Sequence, residues 1–281
     1  SRTYSSAGTS SDGPLGAGWT HSYNVRLVRD AFGNYSVIGG EGSGNTFRPA
    51  DPAFADATRQ LFGLSAADTV YEPQVGFHST LVKPAGSGGF DFYTKEHVGY
   101  HFELEPELQP LNSAYSLRYI QEPNGNKIEL FYQSSDPLVV GLPQVLKDKI
   151  DEDPTTLDVV QDASGRALIL RYEEVFDARR IVQVTGYDPL STGHNLGGLD
   201  ITYRYDEGAV VPRGNLTSVT RKGLAADKSD ERTERYGYET GKTADPHNLN
   251  LYTDPNGNKT QYRYRPMVSA LSGGAEDTPL M

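Results

Sequence analysis

From Thr253 to Pro266 the chain reads TDPNGNKTQYRYRP, and Thr260, Tyr262 and Tyr264 alternate there with Gln261, Arg263 and Arg265. A period of two puts the tyrosines on one face of a predicted strand and the polar residues on the other. Asp254, Pro255, Asn256 and Gly257 just before it suit a type I turn closed by a left-handed residue, so the unit reads as half of a β-hairpin. It recurs. Glu122 to Gly125 precede Ile128, Leu130 and Tyr132, and Asp162 to Gly165 precede Leu168, Leu170 and Tyr172. In each copy the same-face offsets of three, five and seven residues from the glycine carry Ile, Leu or Thr, then Leu or Tyr, then Tyr. Asp30 to Gly33 shares the turn, but the alternation after it is out of step.

The pattern between these copies is mostly strand. Trp19, His21, Tyr23, Val25 and Leu27 alternate with polar neighbours and predict a long first strand after the glycine-rich DGPLGAGW. Asp51 and Pro52 make an N-cap and N1 pair, and Phe54, Ala57, Leu61 and Phe62 form an apolar stripe ending at Gly63, which predicts one helix. Ser134 to Thr156 breaks the strand rhythm. Strands resume at Leu157 and run to TQYRYR, after which the tail is small and polar.

Glycine and proline make up 47 of the 281 residues, above the roughly 12% average, as a chain of many turns requires. A net charge of −11 opposes nucleic-acid binding, which needs a concentrated positive field. Without cysteine there is no disulfide framework, thiolate zinc site or cysteine nucleophile. No apolar run approaches the ~20 residues of a helical membrane span, so no membrane insertion is expected. Ser1 opens without a charged-then-apolar leader, which suggests a processed start.

The second half resembles the Rhs, or YD-repeat, family. The resemblance is carried by Tyr203-Arg-Tyr205-Asp206, Gly214-Asn-Leu216, Val219, Tyr236-Gly-Tyr238, and Asp254-Pro-Asn-Gly257 ahead of Tyr262 and Tyr264. The N-terminal DGPLGAGWTHSYNVRL is similar to the stretch that opens the repeat region in that family. The resemblance implies a strip of antiparallel hairpins coiling into a hollow shell around a C-terminal toxin or effector segment, in a secreted or surface protein. The expected fold is therefore all-β, a curved, extended sheet of hairpin repeats with one short helix near 52–62. Residues 1–133 would open the Rhs core, 134–156 would be an insertion or linker, 157–266 the YD-repeat sheet, and 267–281 a flexible tail. Only Asp254 begins a DPxG motif, so no residues of the family's self-cleaving end carry over.

The expected role is structural and non-catalytic, with the remainder of a larger Rhs-type chain or its toxin segment as partner. Glu122, Gly125, Asp162, Gly165, Asp254 and Gly257 would be turn formers, because acids at such corners cap their own turns. DPNGNK lacks the ladder of oxygen donors that a calcium loop needs, and no metal or cofactor is expected. His97 and His101 are too far apart along a strand to share an ion. His101 and Glu103 share a face that reads as a solvated rim. The pairs Tyr203 and Tyr205, Tyr236 and Tyr238, and Tyr262 and Tyr264 would pack across the sheet, or, alternatively, stand exposed as a ladder that stacks a cell-surface glycan.

Overall fold

A computed structural model describes residues 1–9, 12–104, 114–206, 214–223, 229–240 and 245–264. Four short strands come first: β1 (Arg2–Tyr4), β2 (Asp12–Gly13), β3 (Gly16–Ala17) and β4 (Trp19–His21). β1 pairs with β4 and β2 with β3, and none of the four joins the main sheet. The predicted first strand is thus two strands. A turn closed by Asn24 N–H donating to His21 O at 2.9 Å separates β4 from β5 (Arg26–Arg29).

From β5 the chain meanders through β6 (Tyr35–Ile38), β7 (Gly44–Pro49), β8 (Thr69–Pro73), β9 (Thr80–Lys83), β10 (Phe90–Tyr93), β11 (Gly99–Leu104) and β12 (Ala114–Gln121). Each strand pairs antiparallel with the next. Ala114, Tyr115 and Ser116 of β12 then pair with Val28, Leu27 and Arg26 of β5, closing an eight-stranded barrel. Here the expectation of a curved, open sheet is corrected. Eight strands enclose a space that side chains can fill, and Leu27, Phe47, Leu81, Phe90, Phe102 and Leu117 fill it with no exposed surface. The barrel is a packed core, each such side chain contributing ~1.5 to 3 kcal/mol. Alternation in sequence shows which face is buried, but not that a strand a hundred residues away will meet that face's edge.

β12 is a fork. One edge pairs with β11, while the other divides between β5 at Ala114–Ser116 and β13 (Lys127–Phe131) at Tyr119–Gln121. From β13 a second sheet continues through β14 (Val159–Asp162), β15 (Ala167–Val175), β16 (Ala178–Tyr187), β17 (Asn195–Tyr205), β18 (Leu216–Arg221), β19 (Arg232–Tyr238), β20 (Leu249–Thr253) and β21 (Lys259–Gln261). One buried cluster runs from Leu15 through both parts to Leu249.

α1 (Pro52–Phe62) lies where predicted, with the Asp51 carboxylate accepting from Phe54 N–H at 2.9 Å and Gly63 ending it at φ 65°. Its buried face is Ala55 and Thr58 rather than the predicted stripe, and Leu61 is 69% exposed. Phe62 instead stacks on Tyr93, 4.9 Å between ring centres. A second helix, α2 (Gln144–Lys147), falls in the 134–156 segment. That segment is an excursion between two paired strands, β13 and β14, and Val139, Leu142, Leu146 and Ile150 pack it on Phe131 and Val159. The 267–281 tail lies outside the described residues.

Candidate functional site

All three acid-x-x-Gly corners are hairpin turns, and Asp30 to Gly33 is a fourth. They join β12 to β13, β14 to β15, β20 to β21 and β5 to β6. Gly125, Gly165, Gly257 and Gly33 have φ of 90°, 82°, 86° and 85°, the left-handed state in which only glycine is unstrained. The Asp254 carboxylate accepts from Asn256 and Asn258 N–H at 2.9 and 2.8 Å, and Asp162 accepts from Ser164 and Arg166 N–H at 2.9 and 3.1 Å. The Asn258 side chain, then these backbone bonds, hold Asp254 below the usual carboxylate range. Glu122 is one methylene longer, and its corner is closed by Asn124 accepting from Asn126 N–H at 2.9 Å. Among the described residues no group of three or more metal-ligating side chains is present.

Tyr236 and Tyr238 meet the first 21 residues. β1 to β4 form a strap across the inner face of the second sheet, and its side chains interleave with that face. Trp19 lies 4.7 Å from Tyr236 and 5.4 Å from Tyr4, ring centre to ring centre, and its Nε1–H donates to Tyr238 Oη at 2.8 Å. Tyr238 Oη donates in turn to Leu216 O at 2.7 Å. Tyr4 Oη donates to His247 O at 2.8 Å and accepts from Leu249 N–H at 2.9 Å. The Arg2 guanidinium binds Glu234 and donates to Tyr236 Oη at 2.9 Å. Burial pushes Tyr4 and Tyr238 well above the usual tyrosine range against the opposing bonds they accept from Leu249 N–H and Trp19 Nε1–H, so these hydroxyls stay protonated donors.

An ion pair between a buried arginine and a half-exposed aspartate holds the other end of the strap. Arg180 of β16 is 1% exposed, and its Nη1 and Nη2 donate to the two oxygens of Asp12 at 2.6 and 2.9 Å. The guanidinium also lies 5.7 Å from the ring centre of Tyr205, whose hydroxyl donates to Ile181 O at 2.6 Å. Fork geometry of this kind matches a carboxylate bidentately. Gly16, at φ 97°, passes so close that a Cβ there would stand 2.7 Å from Gly214 O. Gly16 of DGPLGAGW therefore serves close approach of strap to sheet, while Gly13 and Gly18 serve close packing within the strap, against Trp19 O and the Tyr4 ring.

Four of the six candidate tyrosines are thus packed: Tyr205 and Tyr236 are buried, and Tyr203 and Tyr238 are half-buried in the same cluster. These four are placed as the packing reading has them rather than as the alternative exposed ladder, with Trp19 and Arg2 of the strap against Tyr236 and Trp19 against Tyr238. Tyr262 is 42% exposed, while Tyr264 donates to Leu249 O at 2.9 Å, and both follow the end of β21 at Gln261. Beside the strap, where β5 and residues 153–157 approach it, lies a cavity of about 620 Å³ whose wall includes Trp19, Tyr132, Tyr172 and Arg179.

His97 sits in the turn between β10 and β11 at φ 61°, away from His101. His101 is not on a solvated rim. It is half-buried and stacked on Tyr119 at 4.7 Å, with Nδ1 2.6 Å from Asp91 and Nε2 3.7 Å from Glu103. Burial opposes its charge, but the bonds to Asp91 and Glu103 outweigh that and push it up to about 9. Arg118 extends the network to Glu103 and Asp136, both at 3.2 Å. Sequence reading paired His101 with Glu103 but missed Asp91. The signal was the alternation of Phe90, Asp91 and Phe92, which turns Asp91 outward onto the face of its cross-strand partner His101.

The geometry defines a mostly β fold of closed barrel, open sheet and N-terminal strap. Residues 1–47, the strap with β5, β6 and most of β7, match a domain family described only as a domain of unknown function (DUF6531). The crystal structure of TcdB2-TccC3 is similar at a TM-score of 0.51 and 15% identity over 84% of this chain and 15% of that one. The Tc holotoxin pore of Photorhabdus luminescens gives 0.49 and 16% over 84% of this chain and 14% of that one. The N-terminal domain of the effector SpvB from Salmonella typhimurium gives 0.38 and 14%, covering 92% of each. The chain thus spans about a seventh of the length of the Tc structures it matches. No curated protein matches it.

Proposed function

We propose that this chain is a non-catalytic wall segment of a secreted Rhs-type, toxin-associated shell, with the remainder of that larger chain as its partner. The observation that carries the reading is the fork at β12. It joins a closed, packed barrel to a sheet that ends on β21, for which no register pairs the second edge among the described residues. An unpaired strand edge is a template for further pairing. The strap supports the same reading, since Tyr4 and Trp19 cover the aromatic inner face and hydrogen-bond to it. The buried guanidinium fits a scaffold too: Arg180 donates to Asp12 and to the carbonyls of Val175 and Gly13, tying sheet to strap. Cryo-electron microscopy of the full-length protein tests the proposal. The expected result is a sheet that continues past β21, hairpin by hairpin, into a hollow wall. A separate compact domain on a linker, with the β21 edge left bare, would overturn it.

A further inference from the structure

The outer face of the second sheet carries a row of cations that the wall itself does not use. The registers align Arg204 with Ser218, Ser218 with Arg235, Arg235 with Thr253, and Thr253 with Lys259. Directly opposed residues share a face, and the inward tyrosines 203, 205 and 236 fix this one as the outer. Five strands therefore present Arg, Ser, Arg, Thr and Lys in one line, with a cation on every second strand. At ~4.8 Å per strand, successive cations stand ~10 Å apart. All three are exposed, and no ion pair or side-chain hydrogen bond engages them among the described residues. The carboxylates of these strands and their corner are committed elsewhere. Glu234 binds Arg2 on the inner face, Asp254 its own corner, and Asp200 binds Lys222 and Gln183. Two residues along the strands, Thr202, Thr220 and Thr233 form a parallel row of hydroxyls, with Thr220 and Thr233 2.9 Å apart.

We propose that this face binds an acidic polysaccharide bearing one carboxylate on every second sugar, lying across the strands. The spacing selects the class. A nucleic acid carries a charge every ~1.7 Å of duplex or ~3.4 Å of single strand, so cations ~10 Å apart on a protein of net charge −11 match it poorly. Two sugar rings of an extended chain span about the width of two strands, which brings each carboxylate to a cation. Ser218, Thr253 and the threonine row then meet the sugar hydroxyls. The site is separate from the strap-covered tyrosines and does not depend on the shell reading.

The test is isothermal titration at low salt with a hyaluronan oligosaccharide, which has this charge spacing, against neutral dextran and an oligothymidylate. Hyaluronan binding is expected, weakening as salt is raised because exposed charges are screened over ~10 Å at 0.1 M. Arg204→Gln, Arg235→Gln and Lys259→Gln should each weaken it about three-fold, and the triple variant roughly thirty-fold. Neutralising Lys95, Arg166 and Lys149, which lie off this row, changes net charge equally and should leave affinity unchanged. Absence of hyaluronan binding by the natural protein, equal effects of the two triple variants, or tighter binding of the oligothymidylate would each overturn the proposal. Matching far-UV circular dichroism and melting profiles show that both triple variants are folded.

Discussion

Removing Trp19 asks whether the strap is part of the folded unit or an appendage. Its indole is buried against Tyr4 and Tyr236 and donates to Tyr238. Trp19→Ala should cost ~4 kcal/mol, within the usual range for deleting a buried large aromatic ring. Trp19→Phe keeps most ring contacts and removes the donor, for ~1 kcal/mol. That loss stays small because Tyr238 Oη still donates to Leu216 O and is not stranded. Urea unfolding followed by far-UV circular dichroism reads both. With a slope of ~3 kcal/mol/M, the alanine variant should shift the midpoint down by roughly 1 to 1.5 M. A double-mutant cycle of Trp19→Phe with Tyr238→Phe should return a coupling of ~1 kcal/mol. Trp19 is the sole tryptophan, so fluorescence of the natural protein reports strap undocking directly. A fluorescence transition well before the main unfolding, or an alanine variant within ~0.3 M of the natural midpoint, would refute the strap as a structural member.

Other perturbations probe the polar interior and the corners. Asp158 is 3% exposed, and burial, with Asp151 and Asp153 nearby, pushes it up to about 7. The native state then binds more protons than the unfolded chain between pH ~4 and ~7, so stability falls as pH rises through that window. Asp158→Asn should abolish the fall and be the more stable protein at pH 8 by a few kcal/mol, at about 1.4 kcal/mol per unit, as denaturant midpoints across pH will show. His101, raised to about 9 by Asp91 and Glu103, contributes stability that is complete below its ordinary value of 6.5 and lost as pH climbs to about 9. His101→Gln should therefore flatten the decline in melting temperature between pH 6.5 and 9. At the glycines, Gly257→Ala has open space and only its φ of 86° to oppose it, for ~1 kcal/mol, whereas Gly16→Ala drives a Cβ to within 2.7 Å of Gly214 O and should cost several-fold more in thermal unfolding.

The strap gives the wall reading its physical basis. A sheet whose inner face is tyrosine and leucine would expose a large apolar surface, and such surfaces drive association. Trp19, Tyr4 and Leu15 cover it from within the same chain. The bidentate Arg180 and Asp12 pair fixes where the strap lies, because displacing it would leave a buried guanidinium without its counter-ion. Asp12 is half-exposed, so the pair is held less tightly than a fully buried one.

The sequence by itself determined the corners and the faces. Asp254, Asp162 and Asp30 each close a turn on their own backbone, and alternation within four to ten residues marks which side chains go inward, so both are local properties that need no distant partner. Asp51, Pro52 and Gly63 set the helix ends for the same reason, although the buried stripe of α1 depended on what lay beneath it. Closure of the barrel, the fork at β12, and the covering of the tyrosines by residues 1–21 were decided only in three dimensions. β12 meets β5 across 88 residues, and Arg2 meets Tyr236 across 234. Contacts at such separations depend on how much every intervening strand twists and where each register falls, and no local pattern encodes that sum.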